Sequence, residues 1–232
     1  MPTLLSPWKL NDHLAQLHVD RFTAQIDLRR PMDGVVATAP NTCLGLQLLG
    51  VDCPLFAPGV GAVPAEVYLH ERDLTVTYRE SVHWPVQVDV TWRTVPAAIA
   101  ETVGPILELV VSVRTQQLYS RPELIVGSRL PAGERLQPGA AELSGCFLVR
   151  FAEGQSTYVE MAWPRDGHSE SRRDPAAPAL LRIEHRLFPQ SLEKGVILRS
   201  RLRGAVVPRA DDVQIARLLY QEFAASQLPL QA

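Results

Sequence analysis

The sequence predicts an all-β protein, a large antiparallel β-sandwich with one C-terminal α-helix, built as a single domain over residues 1–232. Three observations predict it. Apolar and polar residues alternate with period two in segments rich in Val, Thr, Tyr and Trp; clusters of Pro and Gly separate those segments; and only the last stretch changes to a helical period. About eleven strands are too many for one flat sheet and predict packed layers.

The first segment is 22–28 (FTAQIDL), followed by 43–49, 66–70 (EVYLH) and 74–79 (LTVTYR). Long alternating runs at 84–94 (WPVQVDVTWRT) and 106–115 (ILELVVSVRT) come next, then 123–129, 146–151 (CFLVRF) and 156–163 (STYVEMAW). The last two are 180–188 (LLRIEHRLF) and 195–207, which opens with GVILRSRLRG. Stretches 29–42, 50–65, 130–142 and 164–179 read as loops from their Pro, Gly and polar content, with 164–179 the best candidate for a disordered or ligand-covering segment. A helix is predicted over about 211–226, where Val213, Ala216, Leu219, Tyr220 and Phe223 fall at helical spacing. Asp211 serves as its N-cap, with Gln214 three residues on.

Composition narrows the function classes. A hydrophobic content of 46%, charged content of 21% and net charge of −2 describe a chain able to bury a core and lacking the basic footprint that nucleic acid requires. No run reaches the length of a membrane span, and the first residues lack a basic, apolar secretory leader. Cys43, Cys53 and Cys146 are odd in number and widely spaced, fitting neither a disulfide framework nor a metal site and pointing to a reducing cytoplasm. No cofactor motif is present: GVGAVP at 59–64 lacks the third glycine and the helix of a dinucleotide site, and HERDL at 70–74 lacks the second zinc-binding histidine. Of 23 basic residues only Lys9 and Lys194 are lysine, so arginine is this chain's default cation. Its use in place of lysine therefore says little about anion recognition.

Strand geometry sorts the candidate residues by face. Trp84, Val86, Val88, Val90 and Trp92 form a core face, opposed by Gln87, Asp89, Thr91 and Arg93; Leu181, Ile183, His185 and Leu187 oppose Arg182, Glu184 and Arg186. In GVILRSRLRG the arginines Arg199, Arg201 and Arg203 form one polar row. Two readings of that row compete. It is a solvated surface, with Arg199 or Arg201 paired to Glu184 across strands, or a face gripping a ligand rich in hydroxyls or carboxylates. The binding candidates are Arg79, Asp89, Glu184, Arg199 and Arg201, with Trp84 or Trp92 available for stacking if their face is open.

The stretch LTVTYRESVHWPVQVDVTWRT at 74–94 resembles the paired strands of galactose mutarotase-like proteins, with Tyr78, Trp84-Pro85 and Trp92 at the matching places; ILELVVSVRTQQLYSRPEL at 106–124 suits the same supersandwich. The resemblance implies sugar binding on the concave face of a long sheet, and for the enzymes among them a histidine acid and a glutamate base that interconvert aldose anomers. Their Asn-His segment has no match here, since neither Asn11 nor Asn41 precedes a histidine, and Val86 stands where a glycine usually follows the aromatic-Pro pair. The fold carries over and the catalytic residues do not. Three functions follow as expectations: binding of a carbohydrate or other polar small molecule without catalysis; an epimerase or lyase using His70 or His83 as acid with Asp89 or Glu108 as base; or a structural module that meets a protein partner or a second copy.

Overall fold

The computed structural model describes residues 6–20, 22–38, 45–56, 62–96, 105–136, 145–152, 154–164, 168–174 and 177–227. Among them the chain forms β1 (Trp8–Asn11), β2 (Leu14–Val19), β3 (Phe22–Asp27), β4 (Val35–Thr38), β5 (Gly45–Asp52), β6 (Glu66–His70), β7 (Asp73–Tyr78), β8 (Val86–Val95) and β9 (Ile106–Thr115). There follow β10 (Tyr119–Ser120), β11 (Leu124–Pro131), β12 (Glu134–Leu136), β13 (Cys146–Arg150), β14 (Ser156–Ala162), β15 (His168–Asp174), β16 (Ala177–Leu187), β17 (Leu192–Glu193), β18 (Ile197–Pro208) and α1 (Asp212–Ala225). Sheet 1 has the order β1-β2-β3-β4-β5-β11-β16-β15, and sheet 2 the order β12-β13-β14-β18-β9-β8-β7-β6. The pair β10-β17 makes a short separate ribbon.

This is the predicted all-β sandwich with its terminal helix. The long strands lie where the alternation places them, because each turns one apolar row to a shared inter-sheet core. That core includes Ile26, Val51, Tyr78, Val88, Trp92, Leu109, Val126 and Ile183. Two of its aromatic polar tips are satisfied by backbone: Tyr78 Oη donates to Leu28 O at 2.8 Å and Trp92 Nε1 to Leu49 O at 3.1 Å. Trp84 and Trp92 are thus core residues, 9% and 0% exposed, and their face is closed to a stacking sugar.

Several expected loops are strands. β15 runs through 164–179, β4 lies within 29–42, β12 lies within 130–142, and β5 continues to Asp52. Asn41, Cys43 and the first half of the glycine-rich 59–64 stretch lie outside the described residues. The helix begins as expected, but Asp211 makes no side-chain cap. The acidic group at this end is instead Asp212, which accepts from Arg150 at 2.7 and 3.1 Å, from Thr157 at 2.7 Å and from the Val213 N–H at 2.8 Å. Ile215, Ala216, Leu219, Tyr220 and Phe223 press on the outer face of sheet 2, against Ile106, Val159, Met161, Ala205 and Val207, while Val213 turns outward. Each large side chain so buried contributes about 1.5–3 kcal/mol. No helix among the described residues is long and apolar enough to cross a membrane.

Candidate functional site

Strand register gathers most of the predicted residues on the outer face of sheet 2. One row runs Glu66, Thr77, Asp89, Ser112 and Arg199; a second runs Tyr68, Thr75, Thr91, Val110 and Arg201; a third runs His70, Asp73, Arg93, Glu108 and Arg203. These groups are already engaged with one another. Asp89 accepts from Thr77 at 2.7 Å and Gln87 at 2.9 Å, and Arg199 donates to Ser112 at 2.9 Å. Glu108, 2% exposed, pairs with Arg203 at 3.0 Å and lies 3.8 Å from Arg93.

Arg201 is neither solvated nor facing an open cleft. Its guanidinium lies beneath the end of α1, donating to the carbonyls of Phe223, Ser226 and Gln227 and stacked 4.1 Å from the Trp163 ring and 4.4 Å from Phe223. A helix leaves its last carbonyls without partners and its C-terminus partly negative, and a buried arginine answers both needs. Glu184 is on the other sheet. The expected pair with Arg199 or Arg201 does not form; Glu184 contacts Arg172 at 2.9 Å and Arg182 at 3.3 Å. Arg79 is exposed and pairs with Glu66 at 3.0 Å. His70 and His83 are both exposed, and His70 stands three strands from Glu108, about 14 Å away at the usual strand spacing. The structure does not bring a predicted histidine together with a predicted carboxylate.

The open polar surface is the outer face of sheet 1. Gln16, Gln25, Val36, Gln47, Arg129, Arg182 and Arg172 form one row across seven strands. Beside it a shallow depression of about 50 Å³, open to solvent, is lined by Gln47, Asp52, Arg129, Arg182 and Glu184 over Gly50 and Gly127. A second depression lies farther along the same face at Gln16, His18, Thr23 and Gln25. Gly50 and Gly127 are register partners, and the absence of side chains at both makes the floor. A Cβ on Gly50 would stand 2.3 Å from Met32 O, and one on Gly34, whose φ is +63°, 2.2 Å from Leu48 O. These glycines let the 3-10 turn Pro31–Asp33 lie directly on β5 as a wall.

A β-bulge aims the site. Positions 47 and 52 are five apart and in an unbroken strand would point to opposite faces. Opposite Ser128, however, β5 carries two residues, Leu48 and Leu49, with Leu49 at φ 53°. The extra residue restores Gln47 and Asp52 to the same outer face. A left-handed leucine costs about 1–2 kcal/mol. Its peptide groups are held by side chains: Leu49 N–H donates to Ser128 Oγ at 3.0 Å, and Leu49 O accepts from Trp92.

Charge in the depression is unevenly spent. Arg182 pairs with Asp174 at 2.9 Å and with Glu184, and Arg129 lies 4.0 Å from Asp33. Asp52 has no ion pair among the described residues; its carboxyl group is met by the backbone N–H of Cys53. Loss of hydration raises its pKa above the ordinary carboxylate value, Glu184 adds to the rise, and Arg129 and Arg182 oppose it. A carboxyl group so perturbed in a depression marks a functional-site candidate. No cluster of three or more His, Cys, Asp or Glu suited to a metal occurs among the described residues. Burial pushes the thiols of Cys53 and Cys146 up to about 12, which leaves them unreactive.

Neither a family model nor a curated protein matches the sequence. Solved structures do match in shape. A protein described as "a putative mutarotase (YeaD) from Salmonella typhimurium" superposes with a TM-score of 0.53 at 10% identity, covering 88% of this chain and 95% of that one. The fold is galactose mutarotase-like. A "putative kojibiose phosphorylase from human microbiome" aligns over 96% of this chain at 5% identity and TM-score 0.49; this chain spans 37% of that protein's length. The mutarotase-like architecture, legible in the 74–94 strands, therefore holds without close sequence kinship.

Proposed function

We propose that this mutarotase-like protein binds a hydroxyl-rich small molecule, a carbohydrate, in the sheet 1 depression. The observation that carries the reading is Asp52, a carboxyl group without an ion pair, set with Gln47 and Glu184 around a glycine floor. Carboxylates and amides at such a margin accept and donate to vicinal hydroxyls, and few other ligands offer donors and acceptors so densely. Because Arg182 and Arg129 already face Asp174, Glu184 and Asp33, the reading favours a neutral sugar over an acidic one. The fold shared with a protein described as a mutarotase supports the same ligand class.

The test is a thermal-shift and calorimetry panel of neutral and acidic mono- and oligosaccharides, run on the wild type and on D52N. A ligand at 100 times its Kd adds about 2.7 kcal/mol of stability, which in a chain of this size raises Tm by about 5–11 °C. Binding by a neutral sugar, weakened tenfold or more in D52N, supports the reading. Binding that D52N leaves unchanged, or no binding across the panel, refutes it.

A further inference from the structure

The inter-sheet core holds a polar chain that sugar binding does not use. Glu160 in β14 and His185 in β16 are both 0% exposed, and His185 Nε2 meets Glu160 Oε1 at 2.9 Å. The other carboxylate oxygen, Oε2, accepts from Tyr158 Oη at 2.7 Å and from Ser128 Oγ. The opposite ring nitrogen, His185 Nδ1, meets Ser169 Oγ at 2.8 Å. Ser169 is only partly buried and lies on β15, the edge strand of sheet 1, directly opposite His185 in register. The chain thus runs from a sealed carboxylate to a hydroxyl at the margin of the sandwich.

One assignment of protons makes this chain reactive. An ionised Glu160 only accepts, so the imidazole presents Nε2–H to it. A neutral imidazole then has its lone pair at Nδ1, and the Ser169 O–H donates to it. This is the logic of a nucleophile, its base and the group that orients the base, with the two ring nitrogens exchanged relative to the familiar serine triad. An ionic group buried among apolar residues is weak evidence for stability, since apolar replacements of similar shape are often as stable. Two further features stand at the margin. Ser171, two residues along and on the same face of β15, has a buried hydroxyl without a hydrogen-bond partner. The exposed Arg135 of β12 reaches across to Ser171 O at 3.2 Å.

We propose that Ser169 is a reactive nucleophile and that this margin is a second site, taking carboxylic esters. In the reaction Ser169 Oγ bonds to the ester carbonyl carbon while its proton passes to His185 Nδ1. The oxyanion collapses, the carbon–alkoxide bond breaks, and the alkoxide takes the proton from Nδ1. Water repeats the sequence on the acyl-serine and releases the acid. Glu160 is a positioning residue that fixes the tautomer, and Ser171 with Arg135 supplies donors for the oxyanion.

The test is covalent labelling of the full chain by an alkyl fluorophosphonate, in which Ser169 Oγ bonds to phosphorus and fluoride leaves. Intact mass and peptide mapping are read on the wild type, S169A and S171A, with melting curves as folding controls. The expected result is one adduct, mapped to Ser169, formed roughly 10²-fold or more faster than any labelling of S169A, and formed more slowly, still at Ser169, in S171A. The absence of an adduct where a standard serine esterase labels fully, or an adduct that survives in S169A, overturns the proposal. Neither result depends on whether sheet 1 binds sugar.

Discussion

Replacing Arg201 with alanine tests whether a single buried cation secures the terminal helix. The side chain is 2% exposed, serves three carbonyls at the end of α1 and is stacked between Trp163 and Phe223. A hydrogen bond from a charged donor contributes about 1.5–3 kcal/mol. A desolvated cation–π contact contributes up to about 2 kcal/mol. These terms are not additive, because water reaches some of the carbonyls once the guanidinium is gone. A loss of about 3–4 kcal/mol is expected for R201A, which in a chain of this size lowers Tm by about 6–16 °C. R201K keeps the charge but lacks the planar fork, so it should recover less than half of that loss. Calorimetric melts give the magnitude, and amide exchange locates it, with 219–227 losing protection before the sheets do. If R201A falls by less than about 1 kcal/mol, solvent satisfies the helix end and the reasoning fails.

Two further outcomes concern pH. Burial raises the pKa of Asp212, but the hydrogen bonds from Arg150 and Thr157 and the charge of Arg150 outweigh it, so the net shift is downward. D212N should therefore cost about 2 kcal/mol at neutral pH, and denaturant titrations should show the gap to wild type closing as acid protonates the carboxyl below its ordinary range. Asp52 has the opposite sign: its raised folded pKa means that ionisation opposes folding, so D52N should be more stable than wild type at neutral pH and equal to it in acid. Urea midpoints at the two pH values check this, and a less stable D52N at neutral pH contradicts it.

Much of the fold is legible wherever one face of a strand is apolar. Strands 66–70 and 106–115 lie where alternation places them, and His185 falls on the buried face of its strand as expected. β15 escaped because HSESRRD has no apolar residue: its inward positions are the hydroxyls Ser169 and Ser171, which serve a polar chain. β2 is short and follows a turn with Asp12 at φ 54°, so its Ala15 and Leu17 pattern has little length in which to show. Glu184 pairs with Arg172 and Arg182 and not with Arg199 or Arg201 for a topological reason. Between Leu187 and Ile197 the chain leaves sheet 1 and enters sheet 2, and nothing in the residue pattern marks that crossing. The site itself was hidden by the bulge, since period-two counting sends Gln47 and Asp52 to opposite faces; the Gly50 and Leu49 positions were the available signal.

Both sheets present polar outer faces, and what separates them is how far their charges are satisfied. On sheet 2 the sequence Asp73, Arg93, Glu108, Arg203, Glu222 alternates in sign from strand to strand and onto the helix, so each group meets its opposite. A ligand there would have to displace bonds already formed at low exposure, at a cost close to what it gained. On sheet 1 the two register-paired glycines remove the side chains that would fill the middle of the face, and the bulge delivers a carboxyl to the rim of that space. The fold tolerates three unfavourable choices at this place, a left-handed leucine, a carboxyl group with a raised pKa and glycines within strands. Their coincidence over one depression is the pattern expected when function, and not stability, decides the residues.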